Sequence, residues 1–110
     1  MQIIDERAGM TYVVRLTGEL DEMTAQAFKD RVDAAIDDGV EHLVVVLTNL
    51  AFIDSSGLGV LIGRYRRIAR QGGRISLIKP RPHIRALLDM SGIPNLMPVF
   101  QSERQALTGS

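Results

Sequence analysis

The sequence contains no cysteine, which excludes disulfides and thiolate metal sites and is compatible with a reducing compartment. It has only two histidines, His42 and His83, far apart and without companions at metal-ligand spacing, so no metal site is expected. Long apolar runs are also missing. The longest purely aliphatic stretch, Leu43 to Leu47, falls far short of the ~20 residues that a membrane helix needs. The N-terminus shows no basic segment followed by an apolar one, so no signal peptide is expected. Neither a GxxxxGKS/T phosphate loop nor a GxGxxG loop is present, and Gly57-Leu58-Gly59 alone is too little for a nucleotide site. No serine stands in a hydrolase-triad motif. These absences argue against a cofactor-dependent or hydrolytic enzyme, and the expectation is a protein without cofactor or catalytic residues.

What is present suits one small domain spanning 1–110. Hydrophobic residues make up 45% of the chain, enough for a core, and charged residues 24%. The formal net charge is zero, yet the halves differ. Residues 1–54 hold eleven acids and four bases; the rest hold two acids and nine bases. This split predicts either a polarised surface that attracts a charged protein partner or two solvated faces of opposite sign.

The pattern of elements predicts an α/β fold. Ile3–Asp5 reads as a short strand, Ala8 to Met10 as a turn, and Tyr12–Leu16 as a second strand closed by Gly18. Phe28, Val32, Ala35 and Ile36 form one stripe of a helix over 24–38, with Thr24 at its N-cap and Gly39 just past its end. Leu43–Leu47 reads as a central strand covered on both faces. Helical period returns over 56–71, with Leu58, Leu61, Ile62, Tyr65, Ile68 and Ala69 on one side. Ile75–Ile78 reads as a strand. Pro80 and Pro82 bracket a turn, and Ile84, Leu87, Leu88 and Met90 form a helical stripe closed by Gly92. A short strand in Leu96–Phe100 and a final helical turn over Ser102–Leu107 complete the chain. Alternating strands and helices imply a mixed, mostly parallel sheet of four to five strands with helices packed on it and an antiparallel hairpin at its N-terminal edge.

The distinctive segment is Phe52-Ile53-Asp54-Ser55-Ser56-Gly57-Leu58-Gly59, running on to Gly63-Arg64-Tyr65. It joins the central strand to the next helix, at the carboxyl end of the sheet where open α/β folds place ligands. Asp54, Ser55 or Ser56 is a natural N-cap, and a cap alone would account for the residue types. Arg64, Arg66, Arg67 and Arg70 follow as a basic cluster, read as a solvated helix face because no nucleic-acid reader motif accompanies it. Gly59 and Gly63 share a helix face, consistent with tight packing on the sheet or with a partner's close approach. Met23 and Met97 read as exposed filler of packing or partner-facing kind.

These residues resemble the STAS-domain anti-sigma factor antagonists of bacteria, sporulation-type members in particular. Leu16 to Asp21 followed by Thr24-Ala25, and Leu88-Asp89-Met90-Ser91-Gly92, are similar to two further family segments, so the likeness spans essentially the whole chain. It implies the STAS fold and a cytoplasmic protein-binding switch. The family's antagonists bind an anti-sigma factor that is also a GHKL-type serine kinase and thereby release the sigma factor. The kinase phosphorylates the first serine of the motif, here Ser55, which inactivates the antagonist, and a PP2C-type phosphatase reverses this. Carried over by resemblance, Asp54, Ser56 and Gly57 shape the acceptor turn. Asp21, Thr24, Leu58, Gly59, Ile62 and Arg64 are the expected partner contacts. Neither nucleic acid nor membrane is an expected partner, and the free protein is expected to be a monomer. Val46 departs from the family, which often has Asp or Asn there, and Thr48 and Asn49 replace more acidic residues. The competing reading is a non-switching scaffold subunit of a lipid-transport or stressosome-like complex, for which the intact Asp-Ser-Ser-Gly segment is less suited.

Overall fold

The structure, a computed structural model, describes residues 1–109. Five strands form one sheet in the order β1-β2-β3-β4-β5, each strand beside its neighbour in sequence. β1 (Gln2–Ala8) pairs antiparallel with β2 (Thr11–Leu20). β3 (His42–Ile53), β4 (Arg74–Ile78) and β5 (Val99–Phe100) follow in parallel. The helices α1 (Ala25–Asp37), α2 (Ser55–Ala69) and α3 (Pro82–Met90) are the crossovers, and α4 (Glu103–Thr108) ends the described chain. Among the described residues no helix is long and apolar enough to cross a membrane.

Strand alternation divides the core. Tyr12, Val14, Leu16, Leu43, Val45, Leu47, Ile75 and Leu77 meet Phe28, Val32, Ile36, Leu61, Ile68, Ile84 and Leu88 of the three crossover helices in one large cluster. The alternate residues Val13, Val44 and Ile78 meet Ala106 of α4, with Val46 and Phe100 alongside. β3 is therefore covered on both faces, as its unbroken aliphatic run requires. Val46 fills part of this smaller cluster, which explains how an apolar residue is held there.

The strands run further than their apolar segments suggest. β1 covers seven residues, because the whole of it pairs in register with β2. β2 does not close at Gly18. It passes through that residue at φ 107° and ends at Leu20. β3 continues from the aliphatic run to Ile53 because two register shifts against β2 let it bend without leaving the sheet. The inward residues Leu47, Leu50 and Ile53 consequently recur every third position rather than every second, a spacing that hides the strand from a period-two reading.

Other differences are local. Met97 is fully buried in the main core, not exposed. A short 3₁₀ turn, Ile93–Asn95, precedes it and turns it inward. Leu87 and Met90 project into solvent, and α3 buries only Ile84 and Leu88, so its apolar stripe is narrower than the sequence suggests. Pro82 does not bracket a turn but starts α3, where its missing N–H is harmless.

The charge split between the halves is partly neutralised inside the molecule. Asp33 of α1 forms ion pairs with two arginines of α2, Arg64 Nε at 3.0 Å and Arg67 Nη1 at 2.7 Å, and Arg67 also pairs with Asp37. Arg64 and Arg67 are therefore ties between two helices, not part of a solvated basic face; Arg66 and Arg70 remain exposed. Arg15 likewise joins Glu103 of α4 at 2.7 Å and Glu6 at 2.8 Å across the opposite face of the sheet.

His42 and His83 sit in separate places. His83 bonds the Ala51 carbonyl at 2.7 Å, and His42 is buried with Nε2 2.8 Å from Ser76 Oγ. Burial, and then the nearby Arg74 charge, holds the His42 imidazole below its ordinary value of 6.5. The unfolded chain then binds a proton below about pH 6.5 that the folded chain refuses. Stability is expected to be full above that pH and to fall as the pH drops from there toward the folded value. The slope is at most about 1.4 kcal/mol per pH unit. Urea unfolding at pH 5.5 and 7.5 measures this, and His42→Gln should flatten the dependence.

Candidate functional site

The site lies where β2 and β3 both reach the carboxyl end of the sheet. Leu20 pairs with Ile53, so the loops that follow them, 21–24 and 54, leave side by side. Asp54 joins them. It is the N-cap of α2, with one carboxylate oxygen accepting the Gly57 N–H at 3.0 Å. Its other oxygen accepts the Glu22 N–H at 3.3 Å from the neighbouring loop. One short side chain thus closes the helix and fixes the loop beside it. Asp54→Ala is expected to cost about 1–2 kcal/mol of stability and to speed amide exchange at both Gly57 and Glu22, read by hydrogen exchange.

The β2–α1 loop has its own framework. Asp21 Oδ1 accepts the N–H groups of Met23 at 3.0 Å and Thr24 at 3.1 Å. Thr24 Oγ1 accepts the Asp21 N–H at 2.9 Å and donates to the Glu19 carbonyl at 2.8 Å. Thr24 occupies the N-cap position of α1 but makes no side-chain capping bond into the helix. Its hydroxyl is committed backward to the loop, so Asp21 and Thr24 act as a reciprocal pair that sets the loop's shape.

Ser55 is the first residue of α2 and is exposed. Among the described residues nothing hydrogen-bonds its hydroxyl, so the oxygen is available to an incoming group. The first turn of a helix carries N–H groups without helical partners and the positive end of the peptide dipoles, which together favour an added anion. Ser56, next to it, is half-buried.

Gly57 is where the helix touches the sheet. A Cβ placed there would lie 2.3 Å from the Leu20 carbonyl oxygen and 2.7 Å from Ile53 Cγ1. Only a hydrogen fits, which explains glycine near the start of a helix despite its poor propensity. Gly59 and Gly63 are different: beyond the adjoining backbone of α2 itself, a Cβ at either meets no described atom within 4 Å. Packing within this chain does not require them to be small, so the reading of tight contact with the sheet fails for both.

The remaining sequence-expected contacts divide. Leu58 and Ile62 are half-buried against the main core, and Gly59 is exposed. Arg64 has a side chain only 12% exposed and turned to Asp33 on α1. Sequence reasoning passed over the role of the Glu22 backbone, for which no side-chain signal exists. Met23, expected from sequence to be exposed, is 88% exposed.

A separate depression of about 470 Å³ lies between β1 and α1, lined by Asp5, Tyr12, Arg31 and Asp38 among others. It sits toward the opposite end of the sheet from Ser55. Its charges satisfy one another: Arg7 pairs with Asp38, and Asp5 takes both the Tyr12 hydroxyl and Arg31. The Tyr12 hydrogen bond and then Arg31 hold the Asp5 carboxyl below its usual value of 3.8.

A sheet with one antiparallel edge, three crossover helices on one face and a capped Asp-Ser-Ser-Gly turn at its carboxyl end is the architecture of a STAS domain. A family model for the STAS domain matches residues 2–106, and the chain belongs to that family. Among its relatives, the anti-sigma F factor antagonist of Paenibacillus polymyxa is 43% identical over 109 residues, 98% of this chain and 93% of that protein. The anti-sigma F factor antagonist of Lysinibacillus sphaericus is 37% identical over 98 residues, 88% of this chain and 83% of that one. Among solved structures, the phosphorylated form of the Bacillus cell fate determinant SpoIIAA matches with a TM-score of 0.78 at 29% identity, covering 97% of each chain. A putative anti-sigma factor antagonist from Thermotoga maritima has a TM-score of 0.91 over 97% of this chain and 92% of that one; at 20% identity it speaks for the fold alone.

Proposed function

We propose that this chain is an anti-sigma factor antagonist switched by phosphorylation of Ser55. Unphosphorylated, it binds an anti-sigma factor that is also a GHKL-type serine kinase, and the sigma factor is released. Phosphoryl transfer to the Ser55 hydroxyl ends the binding, and a PP2C-type phosphatase restores it. The chain performs no chemistry of its own; it presents an acceptor and a docking face. In this reading it works in the cytoplasm as a single STAS domain over 1–110 and is monomeric when free.

The observation that carries the reading is the Ser55 hydroxyl. It is exposed and, among the described residues, unengaged at the head of α2, in a chain 43% identical to an anti-sigma F factor antagonist. The intact Asp54-Ser55-Ser56-Gly57 segment, with its first serine exposed, favours a switch over a static scaffold subunit. The surroundings supply a reason for inactivation. Asp21, Glu22 and Asp54 already stand in the two joined loops, and a phosphoserine adds about −1.5 to −2 charges.

The test is phosphosite mapping of the protein recovered from its own cells, with capture of bound partners. Phosphate on Ser55, with the kinase bound mainly to the unmodified form, supports the switch. Ser55 always unmodified, with a membrane or scaffold complex bound instead, overturns it.

A further inference from the structure

An apolar side chain that stands alone in water usually needs no explanation. Met23 differs from the other exposed apolar residues in what lies beneath it. Its backbone is locked: its own N–H is bound to Asp21 Oδ1, the preceding N–H to Asp54 Oδ2, and the following residue is held by Asp21 and bonded to Glu19. A thioether side chain 88% exposed therefore projects from a fixed platform. That platform is joined to the acceptor turn by the Glu22–Asp54 bond, and Met23 and Ser55 are each the next residue along from its two ends. Around it the loops carry Glu19, Asp21, Glu22 and Asp54, with no base between positions 16 and 28.

From this placement we infer that Met23 is the apolar anchor of the docking face, entering an apolar socket with a basic rim on the anti-sigma factor. The inference rests on the reading of Ser55 as the switch and names the side chain that supplies the binding energy beside it. The locked backbone means that only side-chain freedom is lost when Met23 docks, which favours a small number of contacts carrying much of the affinity. The acidic surround selects a basic rim and speeds encounter. Phosphorylation of Ser55 then acts on a neighbour of the anchor: it leaves Met23 in place but adds charge and bound water at the edge of the socket.

The test is calorimetric titration of the full chain into the anti-sigma F factor of Paenibacillus polymyxa, partner of the 43% identical relative. Met23→Ala and Met23→Gln are expected to weaken binding by roughly tenfold or more, and Met23→Leu by less than about threefold. Thermal melts should not move, because the side chain contacts solvent. A second readout uses hydrogen peroxide, which transfers one oxygen atom to the thioether sulfur in a two-electron oxidation and leaves as water. Oxidation should weaken the wild-type chain and leave Met23→Leu unaffected, which separates Met23 from the exposed Met1, Met10 and Met90. If the wild type binds and every Met23 variant binds equally well, the anchor is wrong and the switch reading stands. If the unphosphorylated wild type does not bind at all, the switch reading falls and the anchor falls with it.

Discussion

Ser55→Asp is expected to weaken binding to the anti-sigma factor by roughly a hundredfold or more, while Ser55→Ala stays within a few-fold of wild type. The alanine removes a hydroxyl that bonds nothing among the described residues, so neither the fold nor the surface charge changes. The aspartate adds a charge at the first position of α2, beside Asp54 and the Glu22 loop. Within the domain that charge is tolerated, because the helix N-terminus favours an anion by about 0.3–1 kcal/mol. Against a partner it is opposed twice, by loss of its water and by the carboxylates already present. The two effects separate in measurement. Thermal melting should show Ser55→Asp at or slightly above wild type while titration calorimetry shows the lost affinity. Part of the loss should also shrink as salt rises, since exposed charges are screened. A Ser55→Asp protein that binds normally would remove electrostatics as the mechanism of the switch.

Gly57→Ala is expected to destabilise the domain by about 2–4 kcal/mol. The new methyl cannot be accommodated where it falls, 2.3 Å from a backbone oxygen of β2, because that oxygen belongs to a paired strand. Ile53 Cγ1, at 2.7 Å, is the end of a strand with its own place in the core. Relief requires α2 to lift from the sheet at its first turn, which also lengthens the Asp54 capping bond and moves Ser55. Gly59→Ala provides the contrast, since its Cβ meets open space. It should be neutral or slightly stabilising, by up to about 1 kcal/mol, as a helix gains from alanine over glycine. Urea unfolding of the two variants side by side checks the pair. Similar losses for both would mean that helix propensity, not the contact with β2, governs position 57.

The elements were legible wherever one period held. The stripe Phe28, Val32, Ile36 gave α1, the unbroken run Leu43–Leu47 gave the centre of β3, and strand–helix alternation gave the parallel sheet. The lower end of β3 was hidden because its bulges replace a period of two by steps of three, a pattern that no regular element owns. Met97 was misread because its burial depends on the 3₁₀ turn before it, and Leu87 and Met90 because the periodicity of α3 exceeds the width of its contact. At the site, a cap among Asp54, Ser55 and Ser56 was legible as a local requirement, and Ser55 to Gly57 were named through the family resemblance; the reason for glycine at 57, its contact with Leu20 and Ile53, is tertiary. The bond from Glu22 to Asp54 was not legible, because a backbone N–H carries no residue signature and its partner is 32 positions away. Arg64 is the converse case. Its place in a motif suggested an outward role, but Asp33, on another helix, holds it.

The irregular pairing of β2 with β3 places a limit on how sequences of this kind can diverge. Arg15 lies opposite Val46 and Leu20 opposite Ile53, so β3 uses two more residues than β2 over the same stretch. Those two residues rotate the strand end so that Leu47, Leu50 and Ile53 all face inward and Asp54 meets both Gly57 and Glu22. Removing one residue between positions 47 and 53 would turn Ile53 toward water and swing Asp54 away from the loop it fastens. The interval from Leu47 to Asp54 should keep its length even where nearly every residue in it has changed.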